Sequence, residues 1–222
     1  GTDEQFLSLF GITARKIKTN FPNVKVGGPG SSSFSPGTFT PSPFVFKLFQ
    51  YCHDQNVPLD FFSWHMYHAD PWSMAKYCTT ARTILDQYGF TVTESHLNEW
   101  NYMPDYNWDL VVHKQGIERE NWYKVEYGPK GAAFVANELM LLQDKPVDVA
   151  NFYTVGSCEM GLYNLYGVPY KVFYGFKSFS ELLETPMRIE ALANQADSIV
   201  VCAGTNANQS ETGIMLSNFR SP

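Results

Sequence analysis

Residues 60–100 read DFFSWHMYHADPWSMAKYCTTARTILDQYGFTVTESHLNEW, and the order of patterns in this stretch decides the fold. Asp60–Tyr67 is a dense apolar and aromatic run following Val57-Pro58; it is too short for a helix and reads as a buried strand. Asp70-Pro71 then opens a helix, with Met74, Tyr77, Cys78, Ala81, Ile84, Leu85 and Tyr88 along one face and Gly89 at its end. Thr91–Glu99 reads as a second strand with a polar tip, and Trp100–Tyr127 as a long aromatic-containing loop. A strand, a helix and a strand in succession form a βαβ unit, because the helix carries the chain back so that the next strand starts from the same end.

The same alternation extends in both directions. Upstream, Phe6, Phe10, Ala14 and Ile17 mark a helix ended by Asn20-Phe21-Pro22, since proline cannot continue it. Val24–Val26 reads as a short strand running into Gly27-Gly28-Pro29-Gly30 and a Ser/Pro/Gly-rich exposed connection to Pro41. Ser42-Pro43 starts the next helix, with Val45, Leu48, Phe49 and Cys52 as its buried stripe. Downstream come a helix over Gly131–Gln143, a strand over Val147–Tyr153 and a last long helix over Lys171–Leu183. Beyond Pro186 the segments Ile199–Ala203 and Gly213–Ser217 are β without an intervening helix, which places a boundary near Met187 between residues 1–187 and 188–222. Four βα units behind one leading helix predict an α/β fold with a parallel sheet. A complete eight-fold barrel needs about 250 residues, so periodicity leaves two choices open: an open α/β sheet or half a barrel.

Composition narrows the function classes. Of 222 residues, 44% are hydrophobic and 17% charged, enough to bury a core. The formal charge is −6 and no lysine or arginine cluster occurs, so no partner nucleic acid is expected. No apolar run approaches the roughly 20 residues of a membrane helix; the chain is expected to be soluble, and an export signal for a secreted or periplasmic protein would lie upstream. Cys52, Cys78, Cys158 and Cys202 are widely spaced and carry no zinc signature; they read as buried free thiols, with a Cys52–Cys78 disulfide not decidable from spacing. Aromatic residues make up 16% of the chain, which suits either a Phe-rich core or a cleft whose ring faces meet the C–H face of a sugar.

Two stretches carry chemistry. In Leu97-Asn98-Glu99-Trp100-Asn101 a carboxylate stands at the end of an expected strand, where barrel enzymes place catalytic groups. Alternation sets Ser95, Leu97 and Glu99 on one face and His96 and Asn98 on the other. In Trp64-His65-Met66-Tyr67-His68, His65 and Tyr67 point the same way and can orient one carboxylate from the adjacent strand. The alternatives are a Glu that faces solvent and a histidine satisfied in the core. His65 and His68 form no convincing metal pair, and no cofactor is expected.

These residues carry a resemblance. Lys25–Pro29 (KVGGP), Asp60–Tyr67 (DFFSWHMY), Leu97–Asn101 (LNEWN), Asn151–Thr154 (NFYT) and Ile214–Asn218 (IMLSN) occur in this order, and together resemble the β-xylosidase and α-L-iduronidase family, glycoside hydrolase family 39. The resemblance spans nearly the whole chain. It implies that residues 24–29, 60–67, 92–99 and 147–154 are strands five to eight of a (β/α)8 barrel, that Glu99 is the nucleophile, and that Tyr67 contacts it. Trp64, His65, Trp100, Asn101 and Tyr153 would line the site of a carbohydrate substrate, and the terminal β segments would begin an accessory β-sandwich.

One departure stands out: the family's acid/base glutamate lies in an Asn-Glu-Pro motif at strand four, and no such motif occurs here. Retention requires two carboxyl groups about 5–5.5 Å apart. Glu159 is a weak substitute, and Glu94 reads as structural. The resemblance therefore implies a fragment of a longer enzyme, a homodimer of half-barrels, or a half completed by an N-terminal chain. The rival reading is an inactive carbohydrate-binding half-barrel. A flavodoxin-like domain is disfavoured, because Gly27-Gly28-Pro29-Gly30 is followed by a serine loop rather than a helix.

Overall fold

The computed structural model describes residues 1–32, 34–35, 40–194 and 197–220. Its strands are β1 (Gly27–Ser31), β2 (Phe34–Ser35), β3 (Thr40–Pro41), β4 (Phe61–His68), β5 (Glu94–Tyr102), β6 (Val149–Phe152), β7 (Met187–Ile189), β8 (Ile199–Thr205) and β9 (Thr212–Asn218). Its α-helices are α1 (Asp3–Asn20), α2 (Pro43–Asp54), α3 (Pro71–Gln87), α4 (Trp108–Val112), α5 (Ile117–Glu126), α6 (Pro129–Leu142) and α7 (Lys171–Glu181). β1, β4, β5 and β6 form one sheet in that order, with β1 parallel to β4. The chain divides into two compact units: Gly1–Met66 with Lys76–Trp100 and Pro146–Asn151, and Tyr67–Ala75 with Asn101–Lys145 and Phe152–Pro222.

In the first unit the helices form where the apolar periodicity places them. Thr2 and Gln5 cap α1 reciprocally, each side chain satisfying the other's backbone N–H. The predicted stripe of α2, Val45, Leu48, Phe49 and Cys52, is buried, and Phe49 meets Phe62 of β4 edge-on with centroids 4.9 Å apart. Two aspartates staple the strand starts. Asp60 accepts from the Val26 N–H at 2.8 Å, and Asp148 accepts from the Ser95 N–H at 2.8 Å, while the Asp60 and Asp148 N–H groups donate to Val26 and Ser95 carbonyls. These paired bonds lock register where it matters, since a one-residue slip turns every side chain to the other face.

β1 departs from the expectation. The strand is the glycine-proline run itself, not Val24–Val26, because pairing with β4 supplies what local propensity lacks. Its register with β4 shifts between Pro29 and Ser31; Gly30, at φ +70°, occupies the shift and donates its N–H to Ser63 Oγ at 2.9 Å. Residues 33 and 36–39 of the expected exposed connection lie outside the described residues.

In the second unit, residues 103–126 are not a long loop. A 3₁₀ turn at Pro104–Tyr106 leads into α4 and α5, and Met103, Trp122 and Tyr123 form a buried cluster with Leu110, Val111, Tyr127 and Met160 packed against it. α6 packs on α7 and on β8 and β9. Ala136, Met140, Val200, Cys202 and Met215 form the buried contact. β7, β8 and β9 make a separate antiparallel sheet that starts at Met187. Phe219 packs on Tyr102 and Phe134, and Arg220 is held by Asp70 and lies over the Trp72 ring at 4.3 Å. All four cysteines are free thiols, with Cys158 half-buried and the others buried; burial pushes the Cys52 thiol up to about 12.

Candidate active site

Phe61 and His65 lie four residues apart on β4 and so share a face. Phe61 stacks on His96 with centroids 4.6 Å apart, and His65 Nδ1 lies 3.8 Å from Glu99 Oε2. His96 and Glu99 therefore share the Phe61/His65 face although they are three residues apart, which strict alternation forbids. The pleat slips by one residue between them, and the burial pattern of β5 agrees: Ser95 and Leu97 are buried, Asn98 and Glu99 are both partly exposed, then Trp100 is buried. The expected grouping of Glu99 with Ser95 and Leu97 is thus corrected; a local irregularity re-aims Glu99.

The carboxylate is accessible and held. The Glu99 side chain is 28% exposed and that of His65 23%, so a ligand can reach both. A separation of 3.8 Å exceeds a hydrogen bond. Behind this face, Trp64 Nε1 donates to Ser95 Oγ at 3.1 Å. Glu94 is a structural group, paired with Lys25 and with His96 at 2.9 Å; these partners hold its carboxyl below the usual range.

The other expected residues separate into two kinds. Trp64, Trp100 and Asn101 are buried. Asn101 donates to the carbonyls of Tyr153 at 2.6 Å and Met160 at 3.1 Å and accepts from the Tyr102 N–H at 2.6 Å. Tyr153, by contrast, is 47% exposed. Tyr67 meets Trp108 edge-on at 5.2 Å. His68 is buried, accepts from the Asp70 N–H at 2.9 Å, and is lowered to about 4 by burial, which keeps it neutral. Among the described residues no group of three or more His, Cys, Asp or Glu could hold a metal ion, and no helix is long and apolar enough to cross a membrane.

Sequence reading missed several groups. His96 and Phe61 share the Glu99 face, hidden by the slip in the pleat. Glu126 and Glu138 are buried acids of α5 and α6, for which the only signal was a carboxylate on an otherwise apolar helical face.

The fold and site define the class as an α/β protein with a parallel sheet that carries an accessible carboxylate beside an imidazole. Glycosyl hydrolases family 39 matches residues 1–122, more than half of the chain, and the chain belongs to that family. It is 23% identical to a β-xylosidase of Geobacillus stearothermophilus, over 81% of this chain and 37% of the relative. It is 22% identical to a β-xylosidase of Caldicellulosiruptor saccharolyticus, over 100% of this chain and 45% of the relative. A crystal structure of a glucosidase from Croceicoccus marinus superposes with a TM-score of 0.79 at 26% identity, over 100% of this chain and 45% of that one. The chain thus spans less than half the length of these relatives.

Proposed function

We propose that this chain is the nucleophile-bearing half of a retaining glycoside hydrolase, with β1, β4, β5 and β6 as strands five to eight of a (β/α)8 barrel and the sheet from Met187 as the start of an accessory β-sandwich. The observation that carries the reading is the pairing of Glu99 with His65 on one sheet face, both partly exposed, with Nδ1 and Oε2 3.8 Å apart. Closure of that gap would give Glu99 a hydrogen-bond donor that favours its charged, nucleophilic form. Tyr67 follows His65 at the spacing that keeps a strand residue on the same face, which supports its role as a second donor. The carboxylate attacks the anomeric carbon, the glycosidic bond breaks to give a glycosyl-Glu99 ester, and water then hydrolyses the ester with net retention.

The proton for the leaving oxygen comes from a second carboxyl that residues 1–222 do not supply in this reading. Glu94 is committed to Lys25 and His96, and Asp60 and Asp148 to backbone N–H groups. The substrate class is a β-xyloside or a related glycoside, in keeping with the names of the relatives. An aryl glycoside tests the nucleophile by itself, because a phenolate leaves with little protonation. The chain is expected to turn over at least one aryl glycoside, and Glu99→Gln to abolish that turnover. Turnover that survives the substitution would remove Glu99 from the reaction, and sugar binding without turnover would favour the inactive carbohydrate-binding reading.

A further inference from the structure

The turn that follows β5 is built at a cost to its backbone. Asp105 and Tyr106 both take φ of +54°, the left-handed region that residues other than glycine rarely adopt, and the Tyr106 Oη is buried without a hydrogen-bond partner among the described residues. The turn is anchored at both ends. The Met103 N–H donates to the His68 carbonyl at 3.0 Å, and Trp122 Nε1 donates to the Pro104 carbonyl at 3.0 Å. Backbone strain that surrounding contacts hold in place marks segments that orient functional groups.

The turn delivers two rings against two consecutive residues at the end of β4. Tyr106 meets the His68 ring edge-on, with centroids 4.3 Å apart and 80° between the planes. Trp108 meets the Tyr67 ring in the same manner, with centroids 5.2 Å apart and 75° between the planes. We propose that Trp108 is a positioning residue, which holds the Tyr67 phenol in the orientation that makes it a donor to Glu99. The proposal rests on the hydrolase reading above, in which Tyr67 serves that carboxylate.

Trp108 is suited to the task. Its backbone is fixed, because Asn107 caps α4 by accepting from the Leu110 N–H at 3.2 Å. Trp and Tyr side chains turn about only two torsions each, and Tyr67 also packs against the cluster of Met103, Trp122 and Tyr123. The cluster and the Trp108 ring together restrict the swing of the phenol. A group that orients a reacting carboxylate must stay within about 0.5 Å of its productive place. Trp108 is itself 44% exposed, so its loss should spare the fold and show in the chemistry.

Aryl-glycoside hydrolysis by the 222-residue chain tests this in Trp108→Ala, Trp108→Phe, Tyr67→Phe and the double variant Trp108→Ala with Tyr67→Phe. Trp108→Ala should lower kcat about tenfold while KM changes less than about twofold, with an unchanged urea midpoint. Trp108→Phe, which keeps a ring against Tyr67, should restore most of the rate. In the Tyr67→Phe background Trp108→Ala should cost nothing further, because a residue that acts only through the phenol has no effect once the phenol is gone. Losses that multiply in the double variant, or a loss carried by KM alone, would place Trp108 on the substrate and overturn the proposal. The order of the Tyr67 ring, from 13C relaxation, reads the contact without turnover: it should fall in Trp108→Ala and recover in Trp108→Phe. Unchanged ring order beside hydrolysis lost in Glu99→Gln would remove the positioning role and leave the hydrolase reading standing. A Tyr67 ring that loosens in Trp108→Ala, in a chain whose hydrolysis is absent or indifferent to Glu99→Gln, would remove the hydrolase reading and the role with it, since the phenol would have no nucleophile to serve.

Discussion

Asn101 has both side-chain N–H groups engaged, by the carbonyls of Tyr153 and Met160, and its side-chain oxygen is engaged by the Tyr102 N–H. Removal of that amide takes this partner from the buried Tyr102 N–H and from the part-buried Tyr153 carbonyl, each at about 1–3 kcal/mol, while the Met160 carbonyl keeps the Thr154 N–H at 3.2 Å. Asn101→Ala is therefore expected to lower the unfolding free energy by about 3 kcal/mol in urea titrations. Glu138 sets a different problem. Its carboxyl is fully buried, neither oxygen has a hydrogen-bond partner among the described residues, and burial followed by the Asp70 charge raises its pKa well above normal. A folded pKa above the unfolded value of about 4.3 contributes stability that is complete below that value and is lost as pH rises through the folded one. Glu138→Gln should thus gain on the parent chain between pH 4 and pH 8, and urea midpoints at the two pH values measure it. A residue's type was readable in advance in every such case, but its burial was not: LNEWN marked Asn101, and packing of the strand buried it.

Among the elements, α6 begins against the end of α5 at Gly131. A methyl group there would run into the Glu126 carbonyl oxygen. Helix propensity alone favours alanine over glycine by about 1 kcal/mol, yet the overlap is with backbone, which has no rotamer to relieve it. Gly131→Ala is accordingly expected to destabilise the chain by about 2 kcal/mol, seen as a lower urea midpoint with an unchanged slope. Helices with a clean apolar stripe were readable from sequence: α2 buries the four residues its periodicity selects, and α3 buries Met74, Tyr77, Cys78, Ala81 and Leu85. The failures were β1, whose glycines and proline carry no strand propensity, and α4 with α5, whose aromatic residues masked a helical pattern. In both cases a partner segment distant in sequence stabilises the element, and no local window contains it.

For the molecule as a whole, a chain that spans 45% of the Croceicoccus marinus glucosidase and superposes with a TM-score of 0.79 keeps the fold of its part. If the acid/base carboxyl lies outside residues 1–222, the chain should discriminate strongly by leaving group. Aryl glycosides would react through Glu99, while methyl glycosides, whose alkoxide must be protonated as it leaves, would not. On the proposed half-barrel reading, addition of a chain that carries barrel strands one to four should restore methyl-glycoside turnover, and the ratio of the two rates before and after addition checks it. Equal ratios would mean that residues 1–222 already contain an acid.

What the sequence determined by itself was the α/β alternation, the helix stripes, the family and the presence of a glutamate towards the C-terminal end of a strand, because each is written in local periodicity or in the order of short motifs. Tertiary structure decided which face Glu99 takes and which aromatic residues are exposed and which are core. A one-residue slip in a pleat inverts the facing of everything beyond it, and only the neighbouring strand, through Phe61 against His96 and His65 against Glu99, records that it has occurred.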